Sequence, residues 1–126
     1  MKITRIYTGE DNQSHFEELD IPLHTADFGC MSDRVPASSV VFRETPGEGC
    51  LDFHPAPRRQ FVLTIIGEVE LEVGDGTKKR LRAGDILLAD DTTGQGHMSR
   101  EIQGPRRSIF ITVPETLDLR AWRGSQ

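Results

Sequence analysis

Cysteine is scarce in this chain of 126 residues: Cys30 and Cys50 are the only two, and neither belongs to a C-x-x-C pair or to a zinc-type spacing. Two reduced thiols in a cytoplasmic protein are therefore expected. Long apolar runs are missing as well. No window approaches the roughly 18 to 20 residues of a membrane span. The start, Met1-Lys-Ile-Thr-Arg-Ile-Tyr7, lacks the apolar stretch of a signal peptide. A concentrated positive face is the third absence. Twenty acidic residues stand against 15 basic ones, for a net charge of −5, and the basic residues are scattered except at Arg58-Arg59, Lys78-Lys79-Arg80 and Arg106-Arg107. Phosphate backbones need clustered positive charge, so neither nucleic acid nor a membrane is an expected partner.

What the chain does have is a period of two. From Ser38 onward apolar residues alternate with polar ones between glycine and proline breaks, the pattern of antiparallel strands. Val40, Phe42 and Glu44 share one face of a first strand, with Val41 and Arg43 on the other. The β-branched and aromatic run from Phe61 to Ile66 predicts a strand covered on both faces. In Glu68-Val-Glu-Leu-Glu-Val73 the valines and leucine face the core and the glutamates face water, and Gly74-Asp-Gly76 reverses the chain into a charged edge strand at 78–82. Ile86-Leu-Leu-Ala89 is a strand after the Gly84-Asp85 turn. Arg107 to Val113 is the last, with Ile109, Ile111 and Val113 on one side and Ser108, Phe110 and Thr112 on the other. Residues 1–37 are harder to read. Lys2 to Thr8 suits a strand, and Ser14-His-Phe-Glu17 has the capping-box spacing of a short helix. Frayed chain is expected after Leu119, with Trp122 packing on the body. One all-β domain results, a sandwich, barrel or jelly roll, long enough to bury about two thirds of its unfolded surface.

The stretch from His54 to Glu101 narrows that choice. It contains His54-Pro-Ala56, Gln60, Gly67, Gly84, Gly94-Gln-Gly-His97 and Glu101, and it resembles the two motifs of the cupin family. His54 stands at the first histidine of the first motif and Gly67 at its closing glycine. Ala56 replaces the second histidine and Gln60 the glutamate. In the second motif Gly84 and Gly94 fall at their places before His97, Thr92 stands for the usual proline, and Glu101 stands for asparagine. The resemblance covers about half the chain and implies a cupin double-stranded β-helix, a jelly-roll barrel, at residues 38–114. Residues 1–37 would be an N-terminal strand or arm on the barrel, and 115–126 a C-terminal tail.

Alternation from the matched positions places His54 with Ala56, Gln60 with Val62, Thr64 and Ile66, and His97 with Ser99 and Glu101 around one interior. The other reading is a solid core with two hydrogen-bonded histidines. The expected ligand-binding set is His54, Gln60, His97, Arg43, Arg58, Glu101 and Phe110, around a small polar ligand such as a sugar or carboxylate. Arg43, Arg58 and Arg59 could grip an anion in bidentate fashion, although an adjacent pair such as Arg58-Arg59 normally has at least one member in solvent. In metalloenzyme members of the family three histidines and a glutamate hold iron, manganese, nickel or zinc. Carried over, His54 and His97 remain as ligands with Gln60 as a third. Alanine cannot ligate, and a neutral amide is a poor donor for such metals; Asp52, Glu44 or Glu101 would have to fill in. Without a metal, a histidine oriented by Asp52, Asp90 or Asp91 would serve as a general base. The family's sugar epimerases pair that base with a phenol, and the only tyrosine, Tyr7, is far from the motifs.

Asp90-Asp-Thr-Thr93 reads either as a pocket rim or as a loop held by its own Asx and Ser/Thr turns. The rival functions are a metal-dependent enzyme of dioxygenase, isomerase or decarboxylase type and a non-catalytic sensor. A homodimer is expected, covering an outer face of Phe61, Leu63 and Ile65 with Met1 to Thr8 near the interface.

Overall fold

Residues 1–123 are described in the computed structural model; residues 124–126, the end of the expected tail, lie outside the described residues. The chain is all-β, and no α-helix occurs among the described residues. Its strands are β1 (Lys2–Thr8), β2 (Ser14–Asp20), β3 (His24–Ala26), β4 (Gly29–Met31), β5 (Ser39–Thr45), β6 (Cys50–His54), β7 (Gln60–Glu72), β8 (Lys78–Leu81), β9 (Ile86–Asp90) and β10 (His97–Thr112), followed by a 3-10 turn at Arg120–Trp122. No helix is long and apolar enough to cross a membrane.

Two long antiparallel strands organise the fold. β7 and β10 pair along most of their length, from Thr112↔Gln60 to Met98↔Glu72. One end of this ribbon is flanked by β9 and β5, and the other by β8 and β6. Beyond β9 the mixed sheet continues to β1, its parallel neighbour, and ends at β2. The hydrogen-bonded order does not close into a ring among the described residues. The runs expected as separate strands before and after Gly67 are thus one strand with a bend. Gly67 has a φ of 87° and approaches β10 so closely that a Cβ there would lie 2.8 Å from the Arg106 Cα. Only glycine accepts both the positive φ and that proximity.

Burial divides about the two faces. On one side Val62, Val69, Leu71, Leu81, Leu87 and Ala89 form a cluster with Ile6 and Ala56. On the other, Phe61, Leu88 and Val113 pack with Ile3, Leu19 and Ile21 from the N-terminal hairpin and Leu119 and Trp122 from the C-terminal segment. Each fully buried side chain of this size contributes about 1.5–3 kcal/mol.

Several expectations need correction. Ser14 to Asp20 is a strand and not a capped helix. Its Ser14 hydroxyl donates to Asp91 at 2.7 Å instead of capping its own chain, and Leu19 is fully buried against β1 and its neighbours. The run from Phe61 to Ile66 is covered on both faces only at its start, for Ile65 and Ile66 are exposed. β9 pairs Gln60 to Leu63 and β8 pairs Val69 to Glu72, so neither flanks the residues between, and the β7–β10 register slips opposite them. Glu68, Glu70 and Glu72 do not stand free in water; arginines 80, 82 and 100 and Lys78 pair with them. The outer face of Phe61 and Leu63 is covered within the chain, the Phe61 and Trp122 rings lying 6.2 Å apart. The strand expected at Lys2 to Thr8 is present as β1, enclosed between β2 and β9.

Candidate functional site

Between the two halves of the bent ribbon lies a cavity of about 680 Å³. The interior is therefore not packed solid. Val62, Val69, Leu71, Leu81, Leu87 and Ala89 give it an apolar wall, and Gln60, His54, His97, Ser99, Glu101 and Arg106 interrupt that wall with polar groups. Its volume and composition are those of small-molecule sites.

The two histidines, distant in sequence, meet because β6 pairs with the start of β10 at His97↔His54. Gly96 makes the approach possible. At a φ of 78° it lies so close to β6 that a Cβ would overlap the His54 carbonyl. The imidazole centroids are 4.8 Å apart. Each ring is held through Nδ1. His97 Nδ1 donates to Asp91 Oδ2 at 2.6 Å, and His54 Nδ1 donates to the Asp52 carbonyl at 2.7 Å. Those acceptors fix both tautomers and leave Nε2 of each ring, which has no hydrogen-bond partner among the described residues, as the nitrogen open to the cavity. Asp91 is fully buried and also takes the Ser14 hydroxyl, so β2 helps to set the angle of His97.

Gln60 is buried at 5% exposure, and its Oε1 has no hydrogen-bond partner. Glu101 accepts from Thr45 Oγ1 at 3.2 Å and from Arg106 Nη1 at 3.3 Å through Oε1, while its buried Oε2 is unpartnered. Burial pulls the Arg106 guanidinium below its ordinary value, and the adjacent Glu101 works in the opposite direction. Arg43, on exposed β5, reaches the lining beside Phe110, its guanidinium 5.8 Å from the ring centroid.

Of the expected ligand-binding set, His54, Gln60, His97, Arg43, Glu101 and Phe110 come together on this cavity. Arg58 does not; it is exposed and absent from the wall. Its neighbour Arg59 turns inward instead, donating to Asp90 and to the carbonyls of Pro114, Glu115 and Leu117. On the Gln60 face Val62 lines the cavity, but Thr64 and Ile66 do not. The loop after β9 is neither rim nor locally capped turn, because its two acids reach other strands. Asp90 holds Arg5 and Arg59, and Asp91 holds His97 and Ser14. Arg106 and Ser14 were not anticipated. Counting back by twos from Phe110 along β10 reaches Arg106, so that signal was present; nothing local to Ser14 points to Asp91.

The metal that the resemblance to cupins implies does not fit these residues. His54 and His97 are joined by a methyl group at Ala56 and an amide at Gln60, and the described residues contain no group of three histidine, cysteine or acidic side chains able to hold a metal ion. Of the carboxylates that would have to fill in, Glu101 alone lies on the cavity, and one of its oxygens is held by Thr45 and Arg106. Glu44 pairs with Arg107 on the outside, and Asp52 accepts from the Phe53 amide. Cys30 and Cys50 are free and exposed. No protein-family model matches the chain, and no curated protein matches it.

Proposed function

We propose that this chain is a cupin-like double-stranded β-helix that binds a small polar ligand, a sugar or a carboxylate, in the cavity between the halves of the β7–β10 ribbon. One observation carries the reading: four acceptor atoms of the cavity residues, His54 Nε2, His97 Nε2 and the buried Gln60 Oε1 and Glu101 Oε2, have no hydrogen-bond partner among the described residues. Buried polar groups are nearly always paired, so a cavity with several unpaired ones is completed by a bound molecule or by water. The test is a thermal-shift and titration screen of metal-free protein against sugars and carboxylates, repeated with His97→Ala. Ligands that raise the melting temperature of the parent and not of the variant support the reading. A screen in which no member acts on the cavity refutes it.

A second reading, proton transfer without a metal, is favoured by the 2.6 Å bond from His97 Nδ1 to buried Asp91. A carboxylate behind an imidazole fixes the tautomer that leaves Nε2 as base. Exchange of a sugar C–H for deuterium in heavy water, lost in His97→Asn, would place the protein among isomerases; no exchange would leave binding alone.

The homodimer stays a proposal, through a different surface. Val40 and Phe42 on β5 are exposed, as are Phe28 and Met31 on the separate β3–β4 hairpin, and these apolar groups replace the expected Met1 to Thr8 contact. Light scattering at tens of micromolar should report two chains, and Phe42→Asp should reduce that to one. A monomeric parent would end the proposal.

A further inference from the structure

The cavity's polar atoms discriminate between the two ligand classes. Resting on the binding reading above, we infer that the ligand is a neutral ring-form sugar and not a carboxylate. With both rings neutral, His54 and His97 can only accept at Nε2, because Nδ1 carries the proton that each donates to Asp91 or to the Asp52 carbonyl. Glu101 Oε2 can only accept, and Gln60 Oε1 is a further unpaired acceptor at a residue 5% exposed. A matching molecule must therefore bring several donors, as sugar hydroxyls do.

A carboxylate brings none. Within the cavity it would confront Glu101 and two imidazole lone pairs. The one buried cation of the lining, Arg106, spends Nη1 on Glu101 and leaves Nε as a single unpartnered donor, outnumbered by the acceptors around it. Arg43 is the other cation of the wall, and it stands on an exposed strand with its guanidinium beside the Phe110 ring. The rest of the lining suits a sugar's second aspect. Phe110, Val62 and Leu87 give an apolar surface for the C–H face of a pyranose, while its hydroxyl edge meets the acceptors. Two of the four acceptors, Gln60 and Glu101, occupy the positions where this chain departs from the cupin motifs. The selectivity thus belongs to this chain.

The experiment uses full-length protein labelled with nitrogen-15 and dialysed against EDTA, with D-glucose, D-galactose, D-glucuronate and succinate as probes. Glucuronate matches glucose in size and differs by its carboxylate. The imidazole nitrogen spectrum is the readout, since an Nε2 that accepts a hydrogen bond moves away from its free position. The neutral sugars should shift Nε2 of both His54 and His97 saturably and bind at least about tenfold more tightly than glucuronate or succinate. Gln60→Leu should weaken neutral-sugar binding about tenfold, and because Gln60 Oε1 has no hydrogen-bond partner among the described residues, the variant should keep its fold. Acids that bind as well as or better than the neutral sugars, or a Gln60→Leu variant that binds sugars undiminished, overturn the inference and leave the binding reading standing. If no probe moves either imidazole, both fall.

Discussion

The C-terminal segment is fastened by one carboxylate, and removing that charge tests the assignment directly. Asp90 accepts from Arg5 at 2.7 and 2.9 Å and from Arg59 at 3.2 Å, and Arg59 Nε lies 3.0 Å from its second oxygen. The side chains are largely buried, at 13% exposure for Asp90 and Arg5 and 9% for Arg59. Asp90→Asn keeps the shape, removes the charge and turns an amide N–H toward a guanidinium. Breaking a buried pair from one side costs about 3–5 kcal/mol. Here the stranded arginines retain other acceptors, Glu17 for Arg5 and three carbonyls for Arg59, so about 2–4 kcal/mol is expected. In a domain of this size that corresponds to a fall in Tm of roughly 8–15 °C. Urea denaturation followed by fluorescence is the assay, because Trp122 is the only tryptophan and packs on Phe61 within the segment that Arg59 holds. Its emission in the native variant should move to the red. A loss below about 0.5 kcal/mol, the usual range for an unremarkable surface change, with unchanged emission would refute the reasoning.

Gly96→Ala should destabilise the protein by about 2 kcal/mol or more and separate the two imidazoles, since the new methyl must displace the His54 carbonyl at a backbone angle alanine disfavours; a normal melting curve with unshifted His54 resonances would count against it. The Asp118 carboxyl is held down from an ordinary 3.8 to about 2 by the Arg120 guanidinium and backbone N–H. A depressed folded-state value gives stability that is full above about pH 4 and is lost as pH falls through 2, so NMR titration should find the Asp118 midpoint near 2 and Arg120→Ala should return it toward 3.8. Wild-type protein should bind cobalt weakly and lose that binding in His97→Ala, whereas Ala56→His with Gln60→Glu should raise affinity by orders of magnitude. Visible spectroscopy reads both, and tight wild-type binding that the double change fails to improve would reinstate the metalloenzyme.

Residues whose alternation is decided locally were legible. Val69, Leu71 and Val73 are buried as their period requires, and His54, Gln60, His97 and Glu101 share a cavity as the motif spacing implies. What escaped was set by partners far along the chain. Ser14 looked like a helix cap because Glu17 follows three residues later, and the carboxylate that claims its hydroxyl is 77 residues away. Arg58 and Arg59 are chemically equivalent in sequence. Only the bend of the chain just before β7 decides which one faces Asp90. Ile65 and Ile66 read as buried because their composition cannot reveal that β8 and β9 stop short of them.

The placement of β1 bears on how the chain is made. Synthesis proceeds from the N-terminus, so the β1–β2 hairpin emerges early, yet the other edge of β1 is filled only by β9, with Thr4 opposite Leu87 and Ile6 opposite Ala89. Until β9 has been synthesised, that edge presents bare amides and carbonyls beside Ile3 and Ile6, a template for wrong pairing. Asp91 and His97 come later still. Ser14 waits for Asp91, 77 residues further on, and the cavity can be walled only once β10 has been made. Slow elongation prolongs this vulnerable interval, so chaperones that cover the β1 edge should raise the yield of native protein.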